Sequence, residues 1–257
     1  MIDTTYFGQP WQPVSILLKI REIVKLLILG LAKTTLLDYP GKLAATIFTG
    51  GCNFRCPYCH NGDLVLNVDS SERISENDIL DFLKKRTGRL EGVCISGGEP
   101  TCQVDLVDFV KKAKALDYFV KLDTNGTNPD IVKELIENEL IDYVAMDIKN
   151  SPDKYKNTIG DVSNFDFENI VKTKNYLIEN RVEYEFRTTL VKGLHTKNDI
   201  IDMHKFIVGA KKWYLQSYVE SDRVINPIFE GFTRQEIDGL ITDVIGSDIE
   251  INIRGLS

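Results

Sequence analysis

Along this 257-residue chain, short apolar runs alternate with longer stretches whose apolar residues recur every three or four positions. The first pattern predicts buried strands and the second amphipathic helices. Strands are expected at Leu43–Phe48, Glu91–Ser96, Tyr118–Leu122, Tyr143–Ile148, Val182–Val191, Trp213–Gln216 and Ile249–Ile253. Helices are expected between them. Three carry a capping-box signal at their start: Ser75 with Asp78, Thr196 with Asp199, and Thr233 with Glu236. A fourth begins near Val104 with Leu106, Val107, Val110 and Ala113 on one face, and a fifth opens at Pro129 with Asn128 as its cap. The sixth spans roughly Phe167–Glu179. Strands alternating with helices imply a parallel sheet with right-handed crossovers. The six main units are too few for a closed eight-stranded barrel, so an α/β fold of the partial (β/α)6, TIM-like kind is the expectation.

The N-terminal stretch is different. Val14–Ala32 is apolar-rich but broken by Lys19, Arg21, Glu22 and Lys25, and Leu26–Ala32 is far shorter than the ~20 residues a membrane span requires. Ile20, Ile23, Val24 and Leu27 have helical spacing. Residues 1–28 are read as an appended segment without an assigned role, and residues 29–257 as the core domain.

Composition changes this picture little. A hydrophobic share of 43% and a charged share of 27% fit a soluble globular domain. The net charge of −7 argues against a nucleic-acid surface, which needs a basic face. Cysteine usage is more informative. Five is an odd number, and three of them fall within eight residues, Cys52, Cys56 and Cys59. That suits metal-linked thiols in a reducing, cytoplasmic setting better than a disulfide scaffold.

The cysteines lie in Gly50-Gly51-Cys52-Asn53-Phe54-Arg55-Cys56-Pro57-Tyr58-Cys59-His60-Asn61-Gly62, a loop-forming sequence directly after a buried strand. Structural zinc takes four N/S ligands. An iron–sulfur cubane held by three cysteines leaves one iron open to a substrate or cofactor. Further candidate chemistry stands where the next strands end. Gly97-Gly98-Glu99 is either a plain tight turn or a polar binding corner. Asp123-Thr124-Asn125 is either an Asx-type turn or a contact point. Asp147 and Lys149 share a face, as a surface ion pair or as ligand-binding charges. Arg187, Thr188, Gln216 and Tyr218 are polar in or beside barrel strands, where they would be costly without partners, which marks them as site lining. Cys94 is read as a small core residue, Cys102 as an exposed thiol open to oxidation or a peripheral role, His195 and His204 receive no role, and His60 is read as a donor near the site.

The cysteine spacing, with Tyr58 before the last cysteine, resembles the radical S-adenosylmethionine (SAM) superfamily. His60-Asn61 and the upstream Asp38-Tyr39-Pro40-Gly41 narrow the resemblance to the activating enzymes of glycyl-radical proteins, most closely those serving anaerobic ribonucleoside-triphosphate reductase. The resemblance implies the partial barrel and a [4Fe-4S] cluster on Cys52, Cys56 and Cys59. It implies SAM bound by Gly97, Gly98 and Glu99 at its amino group, with Asp123, Thr124 and Asn125 near its ribose or carboxylate. Lys149 would neutralise the carboxylate, Asp147 in some members joins a monovalent cation, and Tyr58 would pack on the adenine. The implied reaction is reductive cleavage of SAM, with an electron from a flavodoxin- or ferredoxin-like protein, followed by hydrogen abstraction from a glycine of the reductase. Activation of another glycyl-radical enzyme (pyruvate formate-lyase type), a small-molecule radical SAM reaction, and a non-enzymatic iron–sulfur electron carrier stand as alternatives.

Overall fold

The computed structural model describes residues 26–255. Eight strands form one sheet in sequence order: β1 (Ile28–Thr35), β2 (Ala44–Thr49), β3 (Gly92–Gly97), β4 (Phe119–Thr124), β5 (Tyr143–Asp147), β6 (Glu183–Leu190), β7 (Lys212–Ser217) and β8 (Glu250–Arg254). β1 runs antiparallel to β2, and every later pairing is parallel. The helices are α1 (Gly62–Leu66), α2 (Glu76–Arg86), α3 (Leu106–Lys114), α4 (Pro129–Glu137), α5 (Tyr155–Thr158), α6 (Phe167–Ile178), α7 (Lys197–Phe206) and α8 (Arg234–Leu240). Each of β2 to β7 is followed by helix, which makes six β/α units flanked by β1 and β8. Among the described residues β1 and β8 do not pair with each other, so the barrel is partial, as the element pattern predicts.

Strand side chains alternate between two environments. Ile47, Ile95, Leu122, Met146, Phe186 and Leu215 face the helices, where they pack with Phe109, Leu135, Ile170, Leu177 and Met203 in one apolar core. The other face lines the barrel interior and is polar. Low in that interior, Arg254 of β8 grips Glu185 of β6 with both guanidinium nitrogens (2.7 and 2.9 Å), and the Tyr143 hydroxyl of β5 donates to the same carboxylate at 2.8 Å. Glu185 is fully buried, so these contacts supply the hydrogen bonds that water would otherwise make.

The capping boxes at Thr196/Asp199 and Thr233/Glu236 form in full, and the Ser75 side chain accepts from Asp78 N–H. Pro129 opens α4, but the Asn128 side chain does not cap it and instead donates to the Thr101 carbonyl oxygen at 3.0 Å. The apolar Leu26–Ala32 run is largely edge strand. Ile28 is fully buried in β1 and Leu26 is buried in the same core, so the folded core reaches at least to Leu26. The helical reading of Ile20, Ile23 and Val24 lies outside the described residues. Leu27 precedes β1 outside any helix, and its N–H donates to Gln103 Oε1 at 3.1 Å. No helix among the described residues is long and apolar enough to cross a membrane.

Candidate active site

The cysteine loop leaves the carboxyl end of β2 and closes on α1. A turn brings Cys59 N–H to the Cys56 carbonyl at 3.0 Å. The loop is held from outside by the segment after β7. Asn226 and Ile225 donate their N–H groups to the Pro57 and Cys59 carbonyls (2.8 and 3.2 Å), and Arg223 accepts from Gly62 N–H at 3.0 Å. His60 hydrogen-bonds the Val219 carbonyl oxygen through Nε2 at 2.6 Å and stacks on Tyr218. Cys52 Sγ accepts from Phe54 N–H at 3.3 Å and from Asn125 Nδ2 at 3.9 Å. Burial, with Glu99 adding to it, pushes the Cys52 thiol up to about 12. Burial pushes Cys56 up to about 11 against the pull of Lys149. A metal binding here must therefore displace protons as it binds.

The donor set fits a cluster better than a single ion. A closed structural zinc site takes four N/S ligands, whereas Cys52, Cys56 and Cys59 bring three thiols to one cavity. Three thiols suit a cubane with one corner left for a ligand. The Tyr58 hydroxyl, buried against the same cavity, has no hydrogen-bond partner among the described residues.

The Gly97-Gly98-Glu99 turn rests on the cysteine loop. Gly98 N–H donates to Thr49 O at 2.9 Å, and Glu99 N–H donates to Gly51 O at 2.8 Å. A Cβ on Gly98 would stand inside the Gly51 carbonyl, and Gly97 has φ +115°, so neither position tolerates a side chain without moving the loop. The Glu99 carboxylate is almost fully buried. It accepts from Thr101 N–H (3.1 Å), the Thr101 hydroxyl, the Thr124 hydroxyl (2.7 Å) and Asn125 N–H (2.6 Å). Burial raises its pKa while these donors oppose the rise. Glu99 thus ties the end of β3 to the end of β4.

Below it runs a chain of alternating charge. Lys121 pairs with Asp123, which also accepts from Ser96 Oγ at 2.9 Å and Arg187 Nη1 at 3.2 Å. Arg187 Nε donates to Asp147 Oδ1 at 3.0 Å, and Lys149 Nζ donates to Asp147 Oδ2 at 2.9 Å. Burial disfavours both carboxylate charges, but Arg187 with Lys121 holds Asp123 down at about 2, and Arg187 with Lys149 holds Asp147 below its ordinary value. Burial likewise disfavours the Lys149 ammonium, yet Asp147, with Tyr58 and Cys56 adding to it, keeps its pKa well above the usual lysine value. The Lys149 backbone is fixed by His195. Val191 N–H donates to His195 Nδ1 at 3.1 Å, which leaves the proton on Nε2, facing the Lys149 carbonyl at 2.9 Å.

All these features meet in one cavity of about 300 Å³ at the carboxyl end of the strands, where α/β folds place their sites. Cys52, Cys56, Cys59, Tyr58, Gly97, Gly98, Glu99, Asp123, Thr124, Asn125, Asp147, Lys149, Arg187 and Gln216 all line it. Thr188 does not. It turns to the outer side, donating to the Ile148 carbonyl at 2.8 Å and accepting from the Trp213 indole at 2.9 Å, because alternate residues of β6 face opposite ways. Tyr218 lies outside too, stacked on His60. Cys94 is buried, but in the polar interior beside Lys121 (3.7 Å) rather than in the apolar core. Cys102 is exposed and away from the cavity. The sequence reading missed Ser96, Lys121, Thr189 and the positioning role of His195. A lysine two residues before Asp123 in a buried strand was the available signal for Lys121. The Asp38–Gly41 motif lies in the β1–β2 turn at the opposite end of the strands, where Tyr39 is buried near Tyr143 (ring centroids 6.0 Å apart).

Comparison with known proteins agrees with this arrangement. Residues 46–207 match the model of the radical SAM superfamily. A Methanocaldococcus jannaschii protein named as a glycyl-radical enzyme activating enzyme is 38% identical over 208 residues, 77% of this chain and 82% of that protein. The pyruvate formate-lyase-activating enzyme of Streptococcus mutans is 31% identical over 186 residues, 68% of this chain and 69% of that protein. The fold is similar to the crystal structure of Streptococcus suis SuiB bound to precursor peptide SuiA, with TM-score 0.67 and 16% identity across 99% of this chain and 57% of that longer chain. A [4Fe-4S] cluster and SAM are the cofactors that the superfamily implies. The matched core, the thiol-lined cavity and the breadth of the identity together make the chain a member of the radical SAM superfamily and, within it, of the glycyl-radical enzyme activating enzymes.

Proposed function

We propose that the chain activates a glycyl-radical enzyme by taking a hydrogen atom from a glycine Cα of that partner. The observation that carries this is the convergence of the three loop cysteines and the buried charge chain on a single cavity in an incompletely closed barrel. Cys52, Cys56 and Cys59 would hold the cluster, which together with bound SAM supplies one-electron cleavage to methionine and a 5′-deoxyadenosyl radical. Lys149 presents an ammonium for the carboxylate of the ligand, aimed by Asp147 and by the His195 contact to its backbone. The Gly97–Gly98 carbonyl groups offer acceptors to the amino group, with the buried Glu99 charge, its carboxylate already held by four donors, close behind them. Tyr58 supplies an aromatic face for the adenine and an unspent hydroxyl. Burial of these groups keeps water from the reacting centre.

The preferred partner is anaerobic ribonucleoside-triphosphate reductase, with a flavodoxin- or ferredoxin-like electron donor. A second reading, activation of a pyruvate formate-lyase, is favoured by the name of the Streptococcus mutans relative. The two are separated by incubating the reconstituted protein, SAM and reductant anaerobically with each candidate partner. A glycine-centred doublet in the paramagnetic resonance spectrum of one mixture identifies the partner. SAM cleavage without a doublet in either would remove both.

A further inference from the structure

Asp123 and Asp147 end adjacent strands, and all four of their carboxylate oxygens are engaged by the protein. Lys121 Nζ holds Asp123 Oδ1, Ser96 and Arg187 hold Asp123 Oδ2, Arg187 Nε holds Asp147 Oδ1, and Lys149 holds Asp147 Oδ2. Lys121 is almost fully buried beneath the cavity. Its other near neighbour, Cys94, is kept as a neutral thiol by burial and by the adjacent Asp123 charge, so Asp123 is the anion that Lys121 balances. Asp38, the next acid on that side, accepts a hydrogen bond from the Thr46 hydroxyl.

Three cations therefore face two carboxylates in this set, which leaves one positive charge for one ligand carboxylate. A monovalent cation beside Asp147, as some relatives are expected to hold, does not fit this arrangement. Each Asp147 oxygen already accepts from a cationic donor, Arg187 Nε or Lys149 Nζ, so a cation bound there would stand beside a guanidinium and an ammonium of its own charge and compete with both hydrogen bonds.

We propose that Lys121 and Arg187 together fill the electrostatic role of a bound monovalent cation, so that this cavity takes a carboxylate-bearing ligand without sodium or potassium. Lys121 is a positioning residue, since it reaches the ligand only through Asp123. The inference rests on SAM being the ligand of this cavity, and not on which partner enzyme is activated.

The test uses the full chain, reconstituted anaerobically, with labelled SAM in equilibrium dialysis. Sodium, potassium and tetramethylammonium chloride are compared at one ionic strength, because screening alone shifts charged contacts. Dissociation constants that agree within about two-fold support the proposal, and tightening of about ten-fold or more by sodium or potassium overturns it. Lys121→Met keeps the length and removes the charge. It is expected to weaken SAM binding about ten-fold in tetramethylammonium, with part of the loss restored by potassium or sodium and iron content unchanged. An equal loss in every salt would reduce Lys121 to a packing role and overturn its share of the proposal. If that variant does not fold, the wild-type salt series decides alone. Absence of SAM binding in all three salts would overturn the ligand reading itself, an outcome distinct from cation-dependent binding.

Discussion

Lys149 shows how one side chain is prepared by its neighbours. Asp147 keeps it charged in a setting that would otherwise disfavour the ammonium, and His195 holds its backbone from the loop after β6. Lys149→Ala is expected to weaken SAM binding while leaving iron content unchanged, which equilibrium binding and iron assay of the same preparation would check. Loss of iron would instead give Lys149 a task in holding the loop. Cys56→Ala is expected to abolish both the cluster absorbance and SAM cleavage, and a variant with full turnover would reject the ligand assignment. At this scale the charged, cysteine and glycine-turn residues of the cavity were legible because they stand where strands end, whereas Ser96 and Thr189 were not, because a lone hydroxyl within a strand is ordinary in sequence. His195 was not, because a single histidine in a polar loop carries no spacing signal. Its buried tie to Lys149 is visible only once the loop after β6 folds over β5.

Among the elements, the contact that matters most is the turn after β3 lying on the loop after β2. Backbone touches backbone there, so the glycines serve packing as well as any ligand. Gly98→Ala is expected to displace the cysteine loop and lower cluster incorporation, with far-UV circular dichroism unchanged because the strands do not depend on that contact. Normal iron loading would show that the loop moves aside freely. The helices that open on capping boxes were readable from local chemistry. The short apolar runs marked the other strands for the same reason, since each depends on only a few residues of sequence. β1 was read differently because its apolar residues run on from the helix-spaced Ile20, Ile23, Val24 and Leu27, and an antiparallel edge strand is defined by its neighbour β2 and not by its own pattern. Thr188 was misplaced by one step of the strand period, which moved it from the inner face to the helix side.

Seen whole, the molecule is an open barrel with an ionic interior, and the lower part of that interior is tied together by side chains that reach across neighbouring strands. Glu185 links β5, β6 and β8 through Tyr143 and Arg254. Glu185→Gln leaves Arg254 without a counter-charge, and Arg254 is partly exposed, which limits the penalty. A loss of about 2 kcal/mol is expected in chemical denaturation, with SAM affinity unchanged, because these residues do not line the cavity. An unchanged midpoint would mean that the pair is replaceable by hydrogen bonds alone. The charge of the interior also explains why Lys121 escaped the sequence reading: a lysine among apolar residues looks like a solvent-facing strand position until closure of the sheet turns that face inward.

Cys52, Cys56 and Cys59, the three cysteines that line the cavity among the described residues, would leave one iron corner for SAM. The most direct test of that open corner is the paramagnetic resonance of the reduced, reconstituted cluster with SAM labelled by ¹⁵N at the methionine amino group. Hyperfine coupling between that nitrogen and the cluster is the predicted result. A spectrum unchanged by SAM, or anaerobically isolated protein that holds zinc in place of iron, would contradict it.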